Sequence, residues 1–366
     1  MTEQLKLKLN DSKATRWGAL VIVAFTMMAA YYVNDVVAPL KTMLETDLAW
    51  SSTDFGFFTG GYSFLNVFFL MLIWGGLILD RFGIRFTGKL ATILMVGGTA
   101  LEYYAMTGLA GADATLFGIN EIFGYKTGVF VAFAGYSIFG VGAEVAGITV
   151  SKIIAKWFKG KELATAMGVQ VALARIGSQA GYAVAIPLAR AFGISTPVLL
   201  GLVLLLGGMI AFFIFAVMDK KLDKQMEAAA IAAGTEDEEE KFSFKDVKNI
   251  LVNPGFWLIA LLCVLFYSCV FPFQKFASEL MIIKYGINEN VAGTFAGLPA
   301  LGALILTPVF GGFIDKRGKS ASIMLLGSAM LICVHFIYAI PDINYWLVAI
   351  VLMILLRIRV SRLIQV

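Results

Sequence analysis

The segment GLILDRFGIR, residues 76–85, returns in altered form as GGFIDKRGK at residues 311–319. Both copies place a glycine four residues before an aspartate, a basic residue directly after it and a second glycine three residues after it. An aspartate can accept hydrogen bonds at the N-terminus of the following helix, and glycine permits a tight turn and close helix approach. The repeat therefore predicts two helical turns of the same kind and an internal duplication of the chain.

The composition places this chain in a membrane. Of its 366 residues, 59% are hydrophobic and only 15% are charged, which is more apolar surface than a soluble domain can hide. Nine apolar runs have the length that crosses a bilayer, and a tenth begins near Tyr345. The runs are 17–40, 55–79, 86–109, 127–151, 162–189, 195–218, 255–276, 291–314 and 320–340.

The positive charges give the expected orientation. Twenty Lys and Arg residues fall at the N-terminus or after even-numbered spans, whereas the opposite loops hold five: Lys41, Lys126, Arg190, Lys275 and Lys284. Because Lys and Arg concentrate in cytoplasmic loops, the N-terminus is expected in the cytoplasm.

The repeated loops resemble the signature loop of the major facilitator superfamily, and the resemblance covers nearly the whole chain. It implies an all-α membrane protein of two six-helix bundles that rock around a central site, with the signature loops as gating elements. About ten spans are expected here and the last two are missing. The expected divisions are a cytoplasmic tail (1–16), a first bundle (17–218), a cytoplasmic linker (219–254) and a truncated second bundle (255–366). The gating residues carried over are Gly76, Asp80, Arg81, Gly83, Arg85, Asp315, Arg317 and Gly318.

Two strings give a narrower resemblance. WFKGKEL at 157–163 and ARIGS at 174–178 are similar to the branch that contains a lysosomal dipeptide uniporter. Many members of the superfamily carry an arginine four residues before the first glycine of the span-four motif, and here that position is Tyr136. A proton-coupling role borrowed from that arginine is therefore not carried over.

Glu144 and Arg175 are the candidates for substrate contact, because ionisable residues in mid-membrane are costly. Glu144 is expected about 12 Å and Arg175 about 20 Å from the cytoplasmic end of its helix, at the rise of an α-helix. One interpretation is a structural ion pair between neighbouring helices. The other is a clamp for a zwitterion, in which the carboxylate takes an ammonium and the guanidinium takes a carboxylate. The family resemblance favours the clamp, since its dipeptide site uses a glutamate and an arginine in these motifs.

Further candidates for the substrate site are aromatic or polar. They are Tyr31, Asp35, Tyr62, Asn66, Tyr267 and Phe271. Glu102 has no obvious partner and is expected in the outer vestibule.

Three functions remain open from sequence. The first is a secondary transporter of dipeptides or similar zwitterions, the second an organic anion or drug exporter, and the third a non-transporting partner or inactive fragment. An enzyme is not expected, because no phosphate-binding loop, nucleophile with a base or metal cluster is found. Neither a cofactor nor a metal is expected. The expected partners are a small solute and the lipid bilayer, without nucleic acid, and an accessory membrane protein is left open. The expected location is a bacterial cytoplasmic (inner) membrane.

Overall fold

The computed structural model describes residues 8–111, 114–233, 251–304, 320–341, 343 and 351, with side chains left out at 229–233 and 320–324. This part of the chain is almost entirely helical, as predicted. Its α-helices are α1 Lys13–Val36, α2 Lys41–Asp47, α3 Ser52–Phe68, α4 Met71–Thr107, α5 Thr127–Trp157, α6 Leu163–Phe192, α7 Thr196–Ala233, α8 Pro254–Tyr285, α9 Glu289–Ala296 and α10 Ser320–Ala339. A short 3-10 helix, Ala38–Leu40, follows α1, and a two-stranded hairpin, β1 Glu121–Ile122 and β2 Tyr125–Lys126, precedes α5.

Some sequence predictions fall outside these ranges. They are the second signature loop, with Asp315, Arg317 and Gly318, the linker over 234–250, and nearly all of the tenth span.

Helix length and hydropathy agree with a membrane protein. Four segments are long and apolar enough to cross a bilayer, Lys13–Asp47, Thr127–Trp157, Thr196–Ala228 and Pro254–Tyr285. The pair α3 and α4 also qualifies when taken together, although the two are bent by 58°. Large apolar side chains such as Ile210 on α7 and Val264 on α8 are exposed, which suits contact with lipid. The predicted number of spans stays a prediction.

The first signature loop is a turn at a single residue. Gly83 has φ +75° and ψ 173° inside α4, a conformation that glycine adopts without the strain of a side chain. The predicted second span, 55–79, is not one straight helix, because Leu70 adopts a left-handed conformation between α3 and α4. The close helix approach is also displaced by one residue from its expected place. A side chain at Gly76 would meet open space, whereas one at Gly75 would meet Val145 of α5.

The residues around this turn form a charged cluster with α5 and α7. Arg85 lies 3.3 Å from Asp219, and Lys156 lies 2.7 Å from the same carboxylate. The indole of Trp157 donates to Asp219 as well, at 3.0 Å. Asp219 was expected to open the solvated linker, but α7 continues past it to Ala233 and its side chain is fully buried. The reason is electrostatic: a buried carboxylate is retained when cations and donors surround it.

The other gating residues of this copy lie nearer the surface. Asp80 accepts a hydrogen bond from Lys152 at 2.9 Å, and the guanidinium of Arg81 lies 5.5 Å from the ring centre of Phe82. The contact between Asp80 and Lys152 joins α4 to α5 within residues 8–233, so this loop is anchored to its own half of the molecule.

Two glycines bring helices together where the polar cavity forms. A Cβ atom at Gly140 of α5 would lie 2.3 Å from the backbone oxygen of Tyr62 on α3. One at Gly177 of α6 would lie 2.1 Å from the backbone oxygen of Met28 on α1. Such small-residue contacts let membrane helices approach closely. Glu144 lies one turn after Gly140, so the contact fixes the depth and direction of its carboxylate.

We expect Gly140→Ala to lower the melting temperature in detergent, because the added methyl group must displace the α3 backbone. The cost expected for such overpacking is about 1–3 kcal/mol. Gly168→Ala on α6 is the matched control, since nothing lies within 4 Å of its Cβ position. Equal melting temperatures for the two variants would contradict the tight contact.

We expect Asp219→Asn to destabilise the protein by roughly 2–3 kcal/mol, because the variant removes the buried carboxylate to which Arg85, Lys156 and the indole of Trp157 all donate. Asp223→Asn is the control, since Asp223 contacts Arg85 and Lys156 too but its side chain is 41% exposed. The control should cost about 1 kcal/mol or less, as exposed pairs do. Thermal unfolding of both variants measures the difference, and a similar loss in each would show that burial of Asp219 is unimportant.

Candidate functional site

A cavity of about 690 Å³ lies between helices α1, α3, α5 and α6 on one side and α8 on the other. Its volume is within the range of small-molecule sites. Seven of the eight residues proposed from sequence line it: Tyr31, Asp35, Tyr62, Glu144, Arg175, Tyr267 and Phe271. Asn66 is not among the lining residues, because its amide bonds the backbone oxygen of Tyr62 on its own helix.

Glu144 is held by a neutral group. The hydroxyl of Tyr62 donates to one of its carboxylate oxygens at 2.8 Å. The second oxygen has no hydrogen bond from another described residue, so it can accept one from a ligand.

Arg175 faces the cavity from α6 and contacts an aromatic ring. Its guanidinium lies 5.3 Å from the centre of the Tyr31 ring, within the range of a cation–π contact. Within residues 8–111, 114–233 and 251–304, neither Arg175 nor Glu144 takes part in an ion pair. The structural pair that the sequence left open is therefore not formed here. Both charges face the cavity, and the contacts that the described residues make with them come from the hydroxyl of Tyr62 and the ring of Tyr31.

Lys275 is a site residue that the sequence analysis missed. The sequence placed it among the outer loops, but it lies inside α8, lines the cavity and has a side chain only 15% exposed. It donates to the backbone oxygen of Asn34 at 2.6 Å and to the hydroxyl of Tyr136 at 3.0 Å. A signal was present, because Tyr267, Phe271 and Lys275 are spaced by four and so share one helix face.

Asp35 completes the charged lining of the cavity. It accepts a hydrogen bond from the side chain of Asn34 at 2.8 Å and lies 3.9 Å from Lys275. With Glu144 and Arg175, the lining thus holds two acidic and two basic side chains. Their formal charges cancel, which suits a ligand that carries both signs.

The expected place of Glu102 is wrong. It does not face a vestibule, because its side chain is fully buried and neither carboxylate oxygen has a hydrogen-bond partner among the described residues. Glycines at 98 and 135 bring α4 and α5 into backbone contact beside it, and this contact excludes solvent.

The cavity is closed at one end by contacts between two parts of the chain, the described residues within 8–233, the first part, and those within 251–341, the second part. Lys41 lies 2.6 Å from Glu279 and Arg190 donates to Asn290 at 2.7 Å. Backbone packing adds to this closure, since a Cβ atom at Gly293 would lie 2.2 Å from the backbone oxygen of Tyr182. These contacts lie toward the C-terminal ends of α1, α6 and α8, and we refer to them as the closed end.

Comparison with known proteins gives a consistent result for family and fold. The family model described as Major Facilitator Superfamily matches residues 19–362. The lysosomal dipeptide transporter MFSD1 of Homo sapiens is 27% identical over 348 residues, which cover 91% of this chain and 68% of that protein. MFSD1 of Danio rerio is 25% identical over 339 residues, covering 90% and 68%.

Solved structures share the fold at low sequence identity. The xylose transporter XylE from E. coli in a partially occluded inward open conformation has a TM-score of 0.64 at 14% identity. That match covers 94% of this chain and 84% of the other. A bacterial homologue of the human drug peptide transporters PepT1 and PepT2 has a TM-score of 0.63 at 12% identity, covering 96% and 82%. The chain belongs to the Major Facilitator Superfamily, and it is an integral membrane transporter and not an enzyme.

Proposed function

We propose that this transporter carries dipeptides or similar small zwitterions by alternating access, with Glu144 and Arg175 as the clamp for the two ends of the substrate. The observation that carries the proposal is that these opposite charges line one cavity without pairing with each other. The named activity of the relatives, dipeptide transport, supports the same substrate class.

The chemistry of the clamp follows from the two side chains. The free oxygen of Glu144 accepts from the substrate ammonium, while the planar guanidinium of Arg175 holds the substrate carboxylate through two parallel hydrogen bonds. The ring of Tyr31 limits the positions open to the guanidinium, so less freedom is lost when the ligand binds.

The charge balance of the lining argues against the organic anion exporter. A carrier for anions is expected to place an excess of cations in its cavity, whereas Arg175 and Lys275 are matched here by Asp35 and Glu144. A zwitterion leaves that balance unchanged, because it brings one charge of each sign.

Transport by alternating access requires a second state in which the closed end separates. The polar contacts there are suited to this, since ion pairs and single hydrogen bonds can be exchanged for contacts with water. We place the N-terminus in the cytoplasm on the distribution of Lys and Arg. In that orientation the structure is closed toward the outside. The bacterial inner membrane stays a prediction, and the relatives are named as lysosomal.

The first test follows the melting temperature of the purified protein with alanylalanine, single amino acids, sugars and organic anions. We expect a rise with the dipeptide, because a ligand that binds only the folded state stabilises it. Glu144→Gln and Arg175→Ala should each weaken binding roughly 30-fold or more, the effect of removing one member of a buried charged contact. Glu121→Gln, at an exposed position, is the control. A shift with anions alone would favour the exporter, and a cooperative transition with no shift at all would favour a non-transporting chain.

A second test assigns each end of the ligand to its residue. N-acetyl-alanylalanine lacks the ammonium and alanylalanine amide lacks the carboxylate. We expect acetylation to weaken binding to the wild type but to add little loss in Glu144→Gln, and amidation to cost less affinity in Arg175→Ala than in the wild type. Dissociation constants from the melting shifts measure how strongly each of the two ligand modifications is coupled to each of the two substitutions. Equal and additive losses in every combination would show that the clamp is assigned wrongly.

A further inference from the structure

One charged contact at the closed end also belongs to the cavity. Lys41 and Arg190 join the two parts of the chain at positions away from the lining residues. Lys275 joins them as well, because it extends from α8 to Asn34 of α1 and Tyr136 of α5, and it lines the cavity. A ligand in the cavity can therefore reach a contact that holds the closed end together.

The ammonium of Lys275 donates hydrogen bonds to two uncharged oxygen atoms. The carbonyl of Asn34 is one of the last four of α1, groups that have no partner within their own helix and that mark the negative end of its dipole. The hydroxyl of Tyr136 donates to the same carbonyl at 2.7 Å, so this end of α1 is capped from α5 and, through Lys275, also from the other part of the molecule. Its nearest carboxylate oxygen, on Asp35, is 3.9 Å away, at the limit of an ion pair.

A zwitterionic ligand offers a better partner to each member of this group. A carboxylate is a stronger acceptor for an ammonium than a backbone carbonyl or a phenol. It also has room for more than the two bonds made by Arg175, since its two oxygens provide about four acceptor positions. A ligand that draws Lys275 toward itself removes the part of this cap that crosses the interface, while the hydrogen bond from Tyr136 stays within the first part.

We propose that Lys275 couples substrate binding to opening of the closed end, by capping α1 across the interface when the cavity is empty and moving to the substrate carboxylate when it is filled. The proposal rests on the zwitterion binding proposed above for the identity of the ligand. The cap itself is a property of the empty protein and can be tested without a ligand.

The test labels a buried position at the closed end. Ala38 is 1% exposed and packs in an apolar cluster with Tyr182 and Ala277. Ala38→Cys is introduced into a protein whose Cys263, Cys269 and Cys333 are replaced by alanine, and the rate of reaction with a maleimide is measured in detergent. The thiol reacts when the two parts separate, so the rate reports the open fraction.

Three variants of this protein separate the cap from other effects of a lysine on α8. Lys275→Met removes the charge and keeps an apolar stem of similar length, and Lys275→Arg keeps a cation. Lys284→Met is the matched control, because Lys284 lies on the same helix but donates to Ile340 within the second part. Melting temperatures confirm that each variant is folded.

We expect Lys275→Met to raise the labelling rate at least about fivefold, the effect of losing a favourable charge at a partly buried helix C-terminus. Lys275→Arg and Lys284→Met should label at nearly the original rate. Saturating alanylalanine should accelerate labelling when Lys275 is present and have little further effect in Lys275→Met.

Equal labelling rates for folded Lys275→Met and its parent, without ligand, would overturn the proposed cap. A dipeptide that accelerates both proteins by the same factor would overturn the coupling while leaving zwitterion binding intact. If alanylalanine fails to shift the melting temperature of the parent protein, the proposed substrate is wrong and the coupling falls with it. The ligand-free comparison still decides the cap in that case.

Discussion

The arrangement of this molecule depends on the cost of removing charged groups from water. An ionised side chain inside an apolar protein must be paired or hydrogen bonded, or it destabilises the fold by several kcal/mol. Asp219 satisfies this requirement by lying between Lys156, Arg85 and the indole of Trp157. At the closed end, Lys41 does so by bridging carboxylates from both parts of the chain. Structural charges thus have their partners within the protein, which allows each half to keep its shape.

The charges that face the cavity are oriented by neutral neighbours and not by charged partners. Glu144 and Arg175 contact a hydroxyl group and an aromatic ring, and these neutral neighbours orient them without cancelling their charge. Backbone packing makes this possible, because contacts at Gly140 and Gly177 hold α5 against α3 and α6 against α1. The two charges cannot easily collapse onto each other while those helices are fixed. A ligand with an ammonium and a carboxylate supplies the charged partners for Glu144 and Arg175 that the protein itself does not place beside them.

Much of this arrangement is visible in the sequence, and the exceptions have physical causes. The apolar runs and the charged residues within them predicted the helical fold and the places of Glu144 and Arg175. Lys275 was missed because it lies one residue before the predicted end of its span, 255–276, and was counted with the following loop, whereas α8 continues to Tyr285 and stops at Gly286 with φ +60°. Polar residues extend a helix when its other faces are buried, so hydropathy underestimates helix ends. Contacts between distant segments, such as the burial of Glu102, have no local signal at all.

The side chains at positions 136 and 275 are compatible in charge. In the pattern of the superfamily that the sequence analysis describes, the first position is an arginine, which would place a cation on α5, within one half of the transporter. Here Tyr136 is neutral, and its hydroxyl accepts from Lys275 while the ring lies 5.6 Å from the ammonium. An arginine at position 136 would place a second cation beside Lys275, and the two like charges would repel each other. The positive charge near Asp35 is instead supplied from α8, across the interface, where its position depends on how the two halves are arranged.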